Sequence, residues 1–326
     1  MSETIRWGIL GAARIADGAV APAIRAAGNA TLVAVAARSA DRAATFAAKH
    51  EIARSYGNYE ALLADPGVDA VYIPLPNSEH HPWTLRALEA GKHVLCEKSA
   101  SLNAREAKDM AAKARETGKL FLEAFASRYH PQYARLAEIV AAGTLGEVRS
   151  MRSHFCFNME RPDDIRWDPA LGGGALFDIG CYCVNSARLV LGAEPTRAFA
   201  VTDMTERGVD LSAAGVLEFD GATLTFDCSF GQYQGQRFSV SGTRGELVLL
   251  TPFGPKKTVD TVMIVNDEVT AVPAADQYQL MVEDFSAAVI EGRDPRFTAE
   301  DAIRQMHVLD ALFDSAKAGR AISVGF

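Results

Sequence analysis

Ile5-Arg6-Trp7-Gly8-Ile9-Leu10-Gly11-Ala12-Ala13-Arg14-Ile15-Ala16 is the stretch that decides the fold. Ile5 to Leu10 is a short, mostly apolar run, as expected of a strand buried on both faces. It meets a glycine and then an alanine-rich helical run, Ile15 to Ala27. In the dinucleotide fingerprint G-x-G-x-x-G the first glycine makes the tight strand-to-helix turn. The second lets the backbone approach a pyrophosphate, and the third lets helix and strand pack closely. The corresponding positions here are Gly11, Ala13 and Ala16. Alanine is small enough for the two later roles, though less permissive than glycine. Gly11, Ala12, Ala13, Arg14 and Ile15 are therefore the candidate pyrophosphate turn, with the first N–H groups of the helix as anion donors. A turn of small residues can also serve packing alone, so the context has to decide.

The next strand, Leu32 to Ala37, supplies that context. A protein that binds NAD usually places an acidic residue after this strand to hold the adenosine ribose. Here the strand runs into Ala36-Ala37-Arg38-Ser39, with Arg42 a turn later and no carboxylate before Asp41. Arg38 can lie over an adenine and meet a 2′-phosphate, and Ser39 and Arg42 can donate hydrogen bonds to it. NADP is favoured over NAD.

Outward from these two strands, apolar runs alternate with amphipathic helices. A helix is expected over Asp41 to His50, a strand over Val68 to Ile73, a helix over Pro82 to Ala90 and a strand over His93 to Glu97. A charged helix, Leu102 to Thr117, and a strand, Leu120 to Ala124, complete the series. Buried strands alternating with helices require a parallel sheet covered on both faces, a doubly wound Rossmann domain spanning residues 1–125. After Ala126 the character changes. Helices are expected over Pro131 to Ala142 and Ala175 to Leu191, around a long strand, Val148 to Phe157. Strands then bunch between Ala198 and Val265, and helices over Gln277 to Glu291 and Ala299 to Ala318 close the chain. Residues 126–326 read as an α+β domain on an open, largely antiparallel sheet. Such a sheet face would be an unusually large apolar patch on a monomer, so a homo-oligomer, dimer or tetramer, is expected through it.

The chain has 326 residues, of which 48% are hydrophobic and 23% charged, and a formal net charge of -8. Nucleic acid and anionic membranes are therefore poor partners. No apolar run approaches the roughly 20 residues of a membrane helix, and Met1 to Trp7 carries no targeting pattern. The five cysteines, Cys96, Cys156, Cys181, Cys183 and Cys228, are scattered. Cys181 and Cys183 are too close for the usual zinc-ligand spacing, so no metal is expected. Buried free thiols in a reducing cytoplasm are the expectation.

The chemistry-bearing residues collect where the strands end. Glu97-Lys98-Ser99 follows the fifth strand, and Leu75, Pro76, Asn77 and His80 follow the fourth. Ligands of doubly wound sheets bind beyond these carboxyl ends, so all belong to the candidate cofactor crevice. In the second domain a Gly172-Gly173-Gly174 turn precedes Asp178, Tyr182 and Asn185. On a regular helix these three share one face. An acid, a phenol and an amide together suit a site better than a core.

Four segments resemble the glucose–fructose oxidoreductase/inositol dehydrogenase/rhizopine catabolism (Gfo/Idh/MocA) family. They are Trp7 to Gly11, Leu75 to His80, Gly91 to Lys98 and Gly172 to Tyr182, in order over nearly the whole chain. The resemblance implies an N-terminal Rossmann domain, a C-terminal open sheet used for pairing, and a catalytic lysine in a Glu-Lys-Pro motif, which falls on Lys98. Ser99 stands where that motif has proline, which leaves the pose of Lys98 less constrained. Tyr182 and Asn185 stand where inositol-type members have histidine and aspartate. Together with Glu123-Ala124-Phe125 and Arg128-Tyr129-His130-Pro131, Tyr182 is most similar to the branch of NADP-dependent D-xylose 1-dehydrogenases and dihydrodiol dehydrogenases. On that basis Tyr182 is the expected general base and Lys98 the cation that favours its phenolate. Asp178 orients substrate or lysine, and His80, Arg166, Trp167 and Tyr278 line the pocket. The rival expectations are a keto-sugar or dihydrodiol reductase of the same fold, and a non-catalytic NADP sensor.

Overall fold

The computed structural model describes residues 4–326; residues 1–3, part of the segment read for a targeting signal, lie outside them. The chain divides into two compact units. The first holds the described residues up to Ala126 together with Gln277–Ile303, and the second holds Ser127–Asp276 with Arg304–Phe326.

The first unit is a six-stranded sheet, β1 (Ile5–Leu10), β2 (Ala30–Ala36), β3 (Arg54–Tyr56), β4 (Ala70–Ile73), β5 (His93–Glu97) and β6 (Phe121–Ala124), in the order 3-2-1-4-5-6. Every pairing is parallel. The order reverses between β1 and β4, which opens a crevice at their carboxyl ends. Ile9, Leu10, Val71, Ile73, Val94 and Leu95 are fully buried, as continuous apolar strands between two helix layers must be. The helices are α1 (14–26), α2 (Ala40–His50), α3 (Tyr59–Leu63), α4 (Asn77–Glu89) and α5 (Ala104–Thr117). The α4 helix begins five residues before the expected Pro82, because Pro76 starts it and Pro82 is carried inside it.

The linear division at residue 125 needs one amendment. The helix α8 (Gln277–Glu291) packs with the first unit. The indole Nε1 of Trp7 on β1 donates to Ser286 Oγ at 3.1 Å, and its ring lies 5.3 Å from that of Phe285. All that is visible in the linear sequence is an apolar helix, and Trp7 is the residue that claims it.

The second unit holds α6 (Pro131–Ala141), α7 (175–191), most of α9 (Ala299–Ala318) and a nine-stranded sheet. Its strands are β7 (Val148–Asn158), β8 (Arg197–Met204), β9 (Asp210–Phe219), β10 (Ala222–Ser229), β11 (Gly231–Gly242), β12 (Glu246–Leu249), β13 (Thr261–Val265), β14 (Glu268–Val272) and β15 (Ile322–Ser323). The order is 14-13-12-11-7-10-9-8-15, antiparallel except for the central pair β7/β10. One face is apolar, with Leu224, Phe238 and Val240 fully buried, and the other is open. All five cysteines are buried thiols. No helix among the described residues is long and apolar enough to cross a membrane.

Candidate active site

In the first unit the site is built at the ends of β1, β2, β4 and β5. Gly11 has φ +125°, a conformation that side chains rarely adopt, and donates its N–H to Ala36 O at 2.8 Å. A Cβ there would stand 2.9 Å from Leu75 Cδ2. The turn is therefore pressed between the ends of β2 and β4. Ala12 and Ala13 stay partly open beyond it, Arg14 is exposed and Ile15 half-buried. In helix geometry the first turn leaves N–H groups with no acceptor in the helix, and α1 starts three residues after Gly11. Five residues of α1, Ala16–Val20, form a π-turn closed by Ala21 N–H to Ala16 O. A bare small-residue turn backed by a helix start is the cradle a pyrophosphate needs.

Arg38 is exposed at the end of β2. Ser39 caps α2, accepting from Arg42 N at 3.5 Å, and Arg42 Nη2 reaches Ala12 O at 3.4 Å. The arginines and the serine thus border the same turn, and the first acid beyond β2 is the exposed Asp41 of α2. This fits a phosphate beside the adenosine ribose.

The ends of β4 and β5 are tied together from beneath. Tyr72 on β4 donates its hydroxyl to the buried Glu97 Oε1 at 2.5 Å, and Lys98 N donates to Glu97 Oε2 at 3.3 Å. His80 is fully buried, with Nδ1 2.8 Å from Ser99 O and Nε2 2.8 Å from Leu75 O. Burial pushes its pKa down to about 4 against the pull of both carbonyls. The neutral ring carries one N–H and donates to only one of them. His80 therefore braces the two loops from below, where the sequence had suggested a pocket wall. The Lys98–Ser99 peptide is cis and Ser99 is fully buried, while Lys98, Pro76 and Asn77 are partly open.

In the second unit the triple-glycine turn is shaped by its neighbours. Gly174 has φ +110° and donates to Arg166 O at 3.0 Å, and a Cβ on it would strike Asp210 Oδ1 at 2.0 Å. Asp210, from β9, accepts Leu176 N–H at 2.6 Å and so holds the start of α7. Burial raises its carboxyl to about 6, although backbone N–H groups pull the other way. Neither Asp210 nor this role carries a local sequence signal, because the residue lies far along the chain from the turn it supports.

Asp178 lies in a second π-turn, Leu176–Gly180, closed by Cys181 N–H to Leu176 O. Arg166 Nε donates to Asp178 Oδ2 at 2.6 Å and Arg166 Nη1 to Asp164 Oδ1 at 3.2 Å. Tyr182 stands half-buried between Phe155, edge-on at 5.7 Å, and Phe253 at 5.6 Å. Asn185 is buried, with Nδ2 3.4 Å from Gln305 Oε1, and it is Asp178, inside the π-turn, that leaves the face a regular helix would have the three share. Trp167 donates its indole N–H to Arg161 O at 2.8 Å and meets Phe230 edge-on. Tyr278 is in the first turn of α8, in the first unit. Asp164, Phe155 and Phe253 are neighbours of the site residues that sequence patterns do not reveal; aromatic and acidic residues in a strand or loop give no period of their own.

A Rossmann unit with a pyrophosphate turn, followed by a second unit presenting a fixed acid and phenol, defines a nicotinamide-dependent oxidoreductase. Residues 5–125 match the oxidoreductase family with an NAD-binding Rossmann fold, and residues 133–248 match the GFO/IDH/MocA C-terminal domain. The chain belongs to the Gfo/Idh/MocA family. It is 40% identical to D-xylose 1-dehydrogenase (NADP(+)) 2 of Haloferax volcanii, over 98% of this chain and 99% of that one. It is 37% identical to the mouse trans-1,2-dihydrobenzene-1,2-diol dehydrogenase, over 81% of this chain and 78% of the other. The crystal structure of KijD10, a 3-ketoreductase from Actinomadura kijaniata in complex with NADP and TDP-benzene, superposes with a TM-score of 0.91. It is 34% identical, with 96% of this chain and 98% of that one covered.

Proposed function

We propose that the protein is an NADP-dependent dehydrogenase that moves a hydride between nicotinamide and a CH–OH carbon of a sugar or sugar-like polyol. The observation that carries this reading is the end of β2: Arg38, Ser39 and Arg42 border the Gly11 turn with no ribose-binding acid before Asp41. The similarity to an NADP-dependent aldose dehydrogenase over nearly the whole chain supports the substrate class. Residues 11–15 hold the pyrophosphate, Arg38, Ser39 and Arg42 the 2′-phosphate, and Leu75, Pro76 and Asn77 the path towards the nicotinamide. When bound, the cofactor accepts or returns the hydride.

The chain's own residues handle the proton and the orientation. Tyr182 takes the proton of the substrate hydroxyl in oxidation and returns it in reduction. A free phenol titrates near ~10, so it needs a cation to ionise at neutral pH, and Lys98 supplies that charge. Arg166 fixes Asp178, which orients the substrate. Trp167 and Tyr278 belong to the same reading as lining residues, and His80 and Glu97 set the pose of Lys98 from below. The net charge of -8 and the buried thiols favour a cytoplasmic protein without a nucleic-acid partner. Val201 and Val269, 56% and 70% exposed on the open sheet face, favour a homo-oligomer that covers them.

Similarity to dTDP-3,4-didehydro-2,6-dideoxy-alpha-D-glucose 3-reductase, 35% identical over 97% of each chain, supports a second reading, reduction of a keto-sugar with the same residues. Initial rates with NADP⁺ and NAD⁺ against D-xylose, D-glucose, L-arabinose, myo-inositol and a dihydrodiol separate the two, with NADPH and a keto-sugar in the reverse assay. Lys98→Ala and Tyr182→Phe are expected to lose about 100-fold or more in turnover while NADPH fluorescence shows unchanged binding. Full turnover in both variants would overturn the assignment.

A further inference from the structure

On β7 the sequence His154-Phe155-Cys156 puts a histidine and a cysteine two residues apart, and so on the same side of the sheet. Asp227 of β10 is the direct partner of His154 in the central parallel pair. The residue between them in sequence, Phe155, meets Tyr182 of α7 on the helix-covered side, so the triad lies on the open face. His154 Nδ1 is 2.6 Å from Asp227 Oδ2, Cys156 Sγ is 3.7 Å from His154 Nδ1, and Cys156 Sγ is 3.6 Å from Asp227 Oδ2. These ligand atoms therefore lie within 4.8 Å of one another.

We infer that His154, Cys156 and Asp227 form a binding site for a zinc-class divalent ion, at residues that the expectation drawn from Cys181 and Cys183 did not weigh. With Zn–S near ~2.3 Å and Zn–N and Zn–O near ~2.05 Å, a tetrahedral ion needs S···N and S···O separations of about 3.6 Å and N···O of about 3.3 Å. Both sulfur edges already have that length. Only the imidazole–carboxylate pair has to open, by roughly 0.7 Å on the same bond lengths, as the proton between them gives way to the ion. A thiolate, an imidazole and a carboxylate suit zinc or cobalt, whereas magnesium and calcium demand more oxygen ligands.

The surroundings agree. Gly235, at a bulge in β11, is the close neighbour of the imidazole; a Cβ there would stand 2.9 Å from His154 Nε2. His154 and Asp227 line a groove of about 500 Å³ together with Arg152, Thr225, Arg237 and Glu246, room for a water as the fourth ligand, while Cys156 is fully buried beside them. Arg152 and Arg237 would repel a bare cation. The ion with one thiolate and one carboxylate sums to zero, so it is admitted only together with both anions. Burial and Asp227 hold the Cys156 thiol protonated, with its pKa pushed up to about 12. Binding breaks the S–H bond, forms the S–Zn bond and releases that proton to solvent; the proton on Nδ1 passes to Nε2. No electron is transferred. The ion would pin the one parallel seam of the sheet from a single chain, whatever the oligomeric state and whatever the substrate.

The experiment is a cobalt and zinc titration of the full-length protein after chelation. The wild type is expected to bind one equivalent of Co²⁺, to develop thiolate-to-cobalt absorption in the near ultraviolet and to lose it on adding Zn²⁺. Cys156→Ser should lose the band, and Asp227→Asn should keep it with an affinity at least about 10-fold weaker. NADPH binding serves as the folding control for both. Absence of the band with one equivalent of Co²⁺, or its persistence in Cys156→Ser, overturns the inference. Should Cys156→Ser not fold, Asp227→Asn decides alone, and unchanged affinity there overturns it as well.

Discussion

Asp210 carries a buried charge whose cost can be read from stability against pH. The side chain is 3% exposed, accepts the N–H of Leu176 and occupies the space that the missing Cβ of Gly174 leaves. Two effects oppose each other there. The helix start and its N–H donors favour the carboxylate, and burial favours the acid. Burial wins, because the carboxyl is raised from 3.8 to about 6. At about 1.36 kcal/mol per pKa unit, the ionised form in the folded protein costs about 3 kcal/mol relative to the unfolded chain. The direction follows from the raised value. The native state holds the proton more tightly, so stability from this group is complete below the unfolded value near 3.8 and is lost as pH rises through about 6. Asp210→Asn removes the titration. Urea unfolding of both proteins at pH 4.5 and pH 7.5 lets the other titrating groups cancel in the difference. The stability of the wild type relative to Asp210→Asn is expected to fall by about 2 kcal/mol over that interval, the part of the full cost that remains above pH 4.5. A flat difference, or one that rises with pH, refutes the reasoning. Asp210→Ala also frees the start of α7, and a displacement of Tyr182 by about 1 Å should cut turnover by roughly 10- to 100-fold.

Two further outcomes concern the first unit. Arg38→Ala and Arg42→Ala should each weaken NADPH binding by about 10- to 100-fold, the size of a charge-assisted hydrogen bond, with NADH binding nearly unchanged by fluorescence titration; equal losses for both cofactors would place the arginines elsewhere. Phe285→Ala removes a fully buried ring that lies tilted against Trp7, and should cost about 3 to 5 kcal/mol in urea unfolding. A loss below about 1 kcal/mol would mean that α8 contributes little to the first unit.

The parallel sheet was legible because its longer strands are mostly apolar along their length, a pattern that suits a doubly covered sheet. β3 and α3 were not. Arg54-Ser55-Tyr56 is a short, polar edge strand whose Arg54 and Tyr56 both bond Asp65, and nothing in three such residues shows a period. β14 escaped for the same reason, since all but one of its residues are exposed at the sheet edge. The allocation of α8 was hidden in another way. Its apolar residues predict a buried helix but not its partner, and the contact with Trp7 joins positions 279 residues apart.

The site was legible where a residue type is bound to a turn, and illegible where geometry departs from the regular helix. Gly11, Arg38, Ser39 and Lys98 could be singled out as candidates because they follow strands, and the ends of strands in this fold are where ligands bind. The alignment of Asp178, Tyr182 and Asn185 on one face assumed 3.6 residues per turn throughout. The π-turn at Leu176–Gly180 inserts one residue and rotates everything before it by about 100° relative to the remainder of the helix. Asp178 is thereby turned away from the face of Tyr182 and meets Arg166, while Tyr182 and Asn185, both beyond the π-turn, keep helical spacing and meet the aromatic pair and Gln305. The α1 helix has the same device directly after the pyrophosphate turn. Each π-turn lies within the first turns of a helix that follows a glycine turn, and in α1 it is followed, after Ala21, by Pro22, whose missing N–H removes a regular helix bond. The small residues Ala16, Gly18 and Gly180 fall within the two π-turns, but three such residues show no period that marks the device in the sequence.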